Sequence, residues 1–219
     1  NNSSAEDVQN WILQKSGTFD NQAAQDAAST LQDWNNKGYM PEGVNAVDAS
    51  TALSRFCNGE GLFFPSGNWN LDTVAKALGD DVQFFAFPGA TSEDEPNVAA
   101  NAGAFYGIPV NAKNRDAAAA FLDYTQSAEA QQIIVDNSGY LPKSSTLDLK
   151  ANSALQQSMF DAYADVLTSG HTSDFINNAT AGMQSSGLIP NFQLLLDNSI
   201  TPQEFTKNVQ AQYDKEAKR

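Results

Sequence analysis

Apolar positions along the chain repeat mostly at helical spacing and, in a few short stretches, at strand spacing. Ala24, Ala27, Ala28, Leu31 and Trp34 share one helical face that Asp20 can cap and Lys37-Gly38 can stop. The small residues on that face predict a helix lying close on a sheet, with Trp34 continuing the stripe into the core. Asp48 is a predicted cap for a second helix with inner face Ala49, Ala52, Leu53 and Phe56. Leu71, Val74, Ala75 and Leu78 fall at i, i+3, i+4 and i+7, and Gly79 stands where a C′ glycine ends a helix. Asn114 is expected to cap a helix carrying Ala117, Ala120, Phe121 and Tyr124, and Ser127 one that buries Ile133 and Ile134 before Asn137-Ser138-Gly139. From Asn152 onward every element is expected to be helical. Leu155, Met159, Ala162, Val166 and Leu167 form one face ended by Gly170, and Leu188, Leu194 and Leu195 belong to a helix spanning 186–197. Thr201-Pro202-Gln203-Glu204 combines a cap, an N1 proline and an N3 glutamate ahead of Phe205, Val209 and Tyr213. Trp11, Ile12 and Leu13 read as a short apolar patch entering the turn at Ser16-Gly17.

Strand-type runs are expected at Leu62–Phe64, Val82–Phe87 and Gly103–Val110. The first of them organises the stretch from Asn58 to Leu71, which reads as a helix end, a short buried strand, a tight turn at Pro65-Ser66-Gly67 and a new helix start. Trp69 falls where strand becomes helix. Strand ends that lead into helix N-termini are where α/β sheets place ligands, because first-turn N–H groups are free there. Asn68 and Asn70 offer donors and acceptors without charge, which suits a neutral polyhydroxylated ligand better than a phosphate. Two readings of Trp69 stand side by side: a ring plugging helix against sheet, or a ring offered to a ligand.

The run "STALSRFCNGEGLFFPSGNW" from Ser50 to Trp69 resembles the extracellular, periplasmic-type solute-binding proteins of carbohydrate ABC transporters, family 1. Further matching parts follow in order: Phe84-Phe85-Ala86-Phe87-Pro88-Gly89, then Gly103-Ala104-Phe105-Tyr106-Gly107-Ile108-Pro109, then Lys113-Asn114-Arg115-Asp116-Ala117-Ala118 through Gln131. The resemblance spans nearly the whole chain but only the C-terminal part of such a protein. Ala102 departs from it, standing where many members carry the first of two glycines. The resemblance implies an α/β, helix-rich, type II periplasmic-binding-protein-like two-lobed fold, here a C-terminal lobe plus a partial segment of the other. Residues 1–87 and 142–219 would form the C-lobe and residues 88–141 would belong to the other lobe. It also implies a sugar or oligosaccharide held in an interlobe cleft, delivery to ABC permease subunits, and an extracellular location, cell-surface lipid-anchored or periplasmic. Any anchor would lie outside this sequence.

Composition narrows the alternatives. Of 219 residues, 41% are hydrophobic and 10% aromatic, which describes a globular chain. Twelve basic against 26 acidic side chains give a net charge of −14, which opposes nucleic acid or an anionic membrane face as partner. Cys57, the single cysteine, has no disulfide partner within the chain. Nucleophilic catalysis needs a base and an orienter, yet His171 is the single histidine and reads as a loop residue. The three adjacent acids Glu93-Asp94-Glu95 read as a solvated loop tip rather than a calcium site. No metal ligation pattern or cofactor motif is present, so no cofactor and no catalytic residue is expected.

Sugar binding asks for aromatic rings and fixed hydrogen-bonding side chains. The candidates are Trp69, Asn68, Asn70, Tyr106 and the segment Met183, Gln184, Ser185 and Ser186. By resemblance, Trp69 matches the stacking tryptophan of the C-lobe. Gly103, Phe105 and Tyr106 match the hinge-side wall, and Met183–Ser186 matches the place where a late helix begins beside the cleft, with serines replacing aromatics seen there elsewhere. Two other functions fit less of the sequence: a polysaccharide-active hydrolase module, and a sensory subunit reporting the same ligand to a membrane receptor.

Overall fold

The computed structural model describes residues 2–89, 96–100, 106–138 and 148–217. They form two compact units, one of residues 1–47, 86–101 and 166–219, the other of residues 48–85 and 102–165. These boundaries differ from the segments expected from the sequence, 1–87, 88–141 and 142–219.

The first unit is a helical layer around one aromatic core. Helix α1 (Ala5–Ile12) is capped by Ser4, whose hydroxyl accepts from the Asp7 N–H at 3.1 Å. The apolar patch at Trp11 and Ile12 is therefore the end of a helix, and both residues are buried. Helix α2 (Gln22–Asn36) is capped by Asn21, one residue after the expected Asp20. Its Ala28 is buried and Trp34 is half-buried against Phe87. A two-residue parallel bridge pairs β1 (Val98–Ala99) with β2 (Thr172–Ser173). A single π-helical turn, Met183–Leu188, then leads into α8 (Ile189–Leu196) and on to α9 (Pro202–Glu216).

Helix α9 begins with the expected reciprocal cap: the Glu204 N–H donates to the Thr201 hydroxyl and the Thr201 N–H to the Glu204 carboxylate. Its Phe205, Val209 and Tyr213 are buried with Trp11, Ile12, Met183, Leu188 and Leu195. The Trp11 ring stacks on Tyr213 at 4.6 Å, and its N–H donates to Gln210 at 3.1 Å. Two α2 amides finish the neighbouring helix: Gln32 donates to the Leu195 carbonyl at 2.8 Å and Asn35 to the Leu196 carbonyl at 2.6 Å. Both carbonyls lie in the last turn of α8, where no intrahelical donor remains.

The second unit holds α3 (Ala49–Cys57), α4 (Leu71–Leu78), α5 (Arg115–Tyr124), α6 (Ala128–Ser138) and α7 (Ala154–Ser169) up to Asp165. Asp48 caps α3 as expected, accepting from the Thr51 N–H at 2.7 Å. Leu71 and Val74 of α4 are buried with Leu155 and Met159 of α7, and Leu53, Phe56, Val82 and Phe84 pack around them. Buried Gln156 spans two elements, donating to the Val135 carbonyl and accepting from the Asn152 N–H, each at 2.8 Å.

Several sequence expectations change here, among them the all-helical region after Asn152, which holds β2. Leu62–Phe64 and Val82–Phe87 join no ladder among the described residues, and Leu62 and Phe63 are 89% and 73% exposed rather than buried. Residues 106–110 are not a strand either, while Gly103 and Phe105 lie outside the described residues. On α5 the face of Ala117, Ala120, Phe121 and Tyr124 is exposed, and on α6 Ile133 is exposed while Ala130, Gln131 and Val135 are buried. The expected acidic loop tip 93–95 and the helix stop at Gly139 also fall outside the described residues.

Candidate ligand-binding site

The turn before α4 sets the position of Trp69. Gly67 is extended (φ −138°, ψ 179°), and residues 68–70 make one 3₁₀ turn closed by the Asn70 N–H on the Gly67 carbonyl at 3.2 Å. Leu71 follows at once, 4% exposed in the core. The helix start is thus pinned from below while the indole two residues earlier is 53% exposed. The ring lies across Gly67, where a Cβ would fall 2.7 Å from the indole Cε3 and nearer still to other ring atoms. Glycine is required at this place by the close approach of the ring, not by its own φ. The Asn70 amide donates to the Ser66 hydroxyl at 2.8 Å across the same turn.

The result is a half-exposed aromatic ring, held against backbone and flanked by two half-buried amides. On α4, Lys76 and Asp72, one helical turn apart, meet at 2.6 Å and offset one another. Such a surface can stack on the apolar face of a ring-shaped neutral molecule and offer its hydroxyls hydrogen bonds. Gly67 and Ser66 were not among the candidates. The signal that could have found them is a glycine two residues before an expected surface tryptophan.

The other candidates divide. Tyr106 is 65% exposed and belongs to the same unit as Trp69. Met183 belongs to the other unit and is fully enclosed in its core, so it is a packing residue there and presents no surface to a solute. Gly187 explains the enclosure: a Cβ there would lie 2.8 Å from the Met183 sulfur, so the π turn closes down on that side chain. Gln184 and Ser185 sit exposed on the same π turn. His171 lies just before β2, and its carbonyl accepts from the Val98 N–H at 3.0 Å. Among the described residues no group of His, Cys, Asp or Glu is placed to hold a metal ion, and no helix is long and apolar enough to cross a membrane.

Residues 3–160 match the family of bacterial extracellular solute-binding proteins. The chain belongs to that family. The family is one of solute-binding proteins, not of enzymes. No curated protein matches the sequence. Among solved structures, a chitin oligosaccharide binding protein shares the fold with a TM-score of 0.78 at 18% identity, over 97% of this chain and 53% of its own. A protein from a structural study of xylan utilization by the thermophilic bacterium Caldanaerobius polysaccharolyticus gives 0.67 at 19% identity, over 94% and 53%. The chain therefore spans about half the length of these structures. The likeness establishes an α/β, helix-rich fold of the type II periplasmic-binding-protein class.

Proposed function

We propose that this chain is part of the substrate-binding component of an ABC importer that takes up a sugar or oligosaccharide. The observation that carries the reading is the Trp69 turn: a half-exposed indole fixed over Gly67 between two amide side chains, in a solute-binding family. Chitin and xylan fragments, the sugars connected by name with the two solved structures, are built of pyranose rings whose apolar faces suit stacking on indole. Trp69, Asn68, Asn70 and Tyr106 would contact the ligand, and Gln184, Ser185, Gly103 and Phe105 remain candidates by resemblance to the family. The protein would work outside the cytoplasm, either lipid-anchored or periplasmic, and hand its ligand to permease subunits.

A ligand that binds only the native state raises its stability by an amount set by its concentration relative to Kd. Thermal unfolding of the full-length protein against chitin- and xylan-derived oligosaccharides should therefore show a concentration-dependent rise in Tm. That rise should shrink in Trp69→Ala. If none of the sugars shifts Tm while an amino acid or peptide does, the carbohydrate reading is wrong.

A further inference from the structure

Helix α9 holds the π turn Met183–Leu188 through three polar residues spaced four apart, Asn208, Gln212 and Glu216, a stripe beside its buried Phe205, Val209 and Tyr213. At the start of the turn the Gly182 N–H donates to the Glu216 carboxylate at 2.7 Å, and Gln212 donates to the other carboxylate oxygen. Gly182 has no room for a side chain, since a Cβ there would lie 3.0 Å from the Glu216 Cδ and nearer still to one carboxylate oxygen. At the end of the turn a Cβ on Gly187 would meet the Met183 sulfur at 2.8 Å and the Gln212 Cγ at 3.4 Å. The buried Asn191 amide donates to the Gly187 carbonyl at 2.7 Å, and its oxygen accepts from Asn208 at 3.0 Å. Between these anchors Met183 is enclosed in the core, while Gln184, Ser185 and Ser186 are exposed. None of these three side chains makes a hydrogen bond among the described residues.

We infer that Gln184, Ser185 and Ser186 form a preorganised platform for a neutral, hydroxyl-bearing solute, and that Asn208, Gln212 and Glu216 are the residues that position it. π turns are rare, and they occur mostly as single turns, frequently at functional sites. This one is packed and hydrogen-bonded along its inner side. Its outer side presents three consecutive uncharged side chains whose donors and acceptors the described fold leaves unused. A fixed backbone lowers the ordering cost that exposed polar side chains otherwise impose on binding. With no charge among the three, the platform suits hydroxyl groups better than a phosphate or carboxylate, which calls for charged donors. The solute class rests on the proposed function, to which the platform adds three positioning residues on α9.

A double-mutant cycle on the full-length protein tests this, with affinity for chitin- and xylan-derived oligosaccharides read by calorimetry. Glu216→Ala should weaken binding about fivefold, and Asn208→Ala should act in the same direction. Glu216→Gln, whose amide oxygen can still accept from the Gly182 N–H, should keep most of the affinity. In a Gln184→Ala/Ser185→Ala/Ser186→Ala background, itself about tenfold weaker, Glu216→Ala should have no further effect, because the side chains it positions are gone. An equal loss in both backgrounds would make Glu216 merely structural and overturn the positioning role. Wild-type affinity in the triple variant, with Trp69→Ala still weakened, overturns the platform and leaves the carbohydrate reading standing. Should the wild type titrate none of the sugars, the carbohydrate reading fails and the solute class of the platform falls with it. Hydrogen exchange of the unliganded protein reads the anchoring without any sugar. Amides of residues 183–188 should exchange at least about tenfold faster in Glu216→Ala, and wild-type rates there would contradict the proposal.

Discussion

Trp11 and Trp69 show how differently the two units use the same residue. Trp11 is 3% exposed, stacked on Tyr213 and paired through its N–H with Gln210. Trp69 is 53% exposed and rests on the backbone of a glycine. The contrast extends to their surroundings. The first unit closes its core with α1, α2, α8 and α9 and uses α2 amides to finish α8. The second has a smaller core of Leu71, Val74, Leu155 and Met159 and leaves Leu62, Phe63, Phe85 and Phe121 outward. The first unit also leaves Tyr39 and Phe87 outward, so the contrast lies in how each tryptophan is seated and not in exposed apolar surface as a whole.

Removing the ring from the closed core should have the largest effect. Trp11→Ala deletes a buried indole and one of the two donors to the Gln210 carbonyl oxygen, which keeps the Phe19 N–H, so urea unfolding should show a loss of about 3–5 kcal/mol. A loss below about 1 kcal/mol would mean that the core of the first unit is not built around this ring. Gly67→Ala should act in the opposite sense on the comparison, leaving stability nearly intact but swinging the indole away from its seat. Sugar affinity measured by calorimetry on the full-length protein should fall about tenfold, or 1.4 kcal/mol. Wild-type affinity in this variant would show that the Trp69 seat does not matter for binding. Thr201→Ala removes half of the reciprocal cap of α9 and should cost about 1 kcal/mol in urea unfolding, while ligand affinity stays unchanged.

The smallest effect concerns acid. The Thr201 N–H holds the Glu204 carboxyl below its ordinary range, and the Thr51 N–H does the same for Asp48. A carboxyl whose folded value lies below its unfolded one stabilises the fold above the unfolded value, about 3.9–4.3. That contribution is lost as pH falls through the lower folded values. The urea midpoint of the wild type should therefore drop on acidification below about pH 4, and Glu204→Gln/Asp48→Asn should show a shallower drop. Superimposable acid limbs would exclude the two caps as its source.

Local chemistry made much of the fold readable. The Thr201-to-Glu204 cap, the Asp48 cap and the α4 stripe rest on contacts within a turn or two, and all three stand as expected. The expected strands at 62–64 and 82–87 depend on partners distant in sequence, and such partners are invisible to a local pattern. The same limit explains α5, whose apolar face was legible while the presence of anything to cover it was not. Met183 is a candidate by resemblance, as part of the segment where a late helix begins, but a π turn and Gly187 fold it inward, and no helical period announces a π turn. The turn carrying Trp69 is legible in the sequence, whereas the exposure of its ring, against the alternative of a buried plug, is visible only in the structure. Its glycine seat emerged from geometry alone.

On the proposed function, Trp69 is a ligand contact and not a packing residue. Calorimetric titration of the full-length wild type and Trp69→Ala with the best-binding oligosaccharide, alongside their urea unfolding curves, tests it directly. The account predicts a loss of affinity on the order of 1–3 kcal/mol from the missing ring stack, with stability changed by less than about 1 kcal/mol. Unchanged affinity with an intact fold, or a loss of stability as large as that of Trp11→Ala, would contradict it.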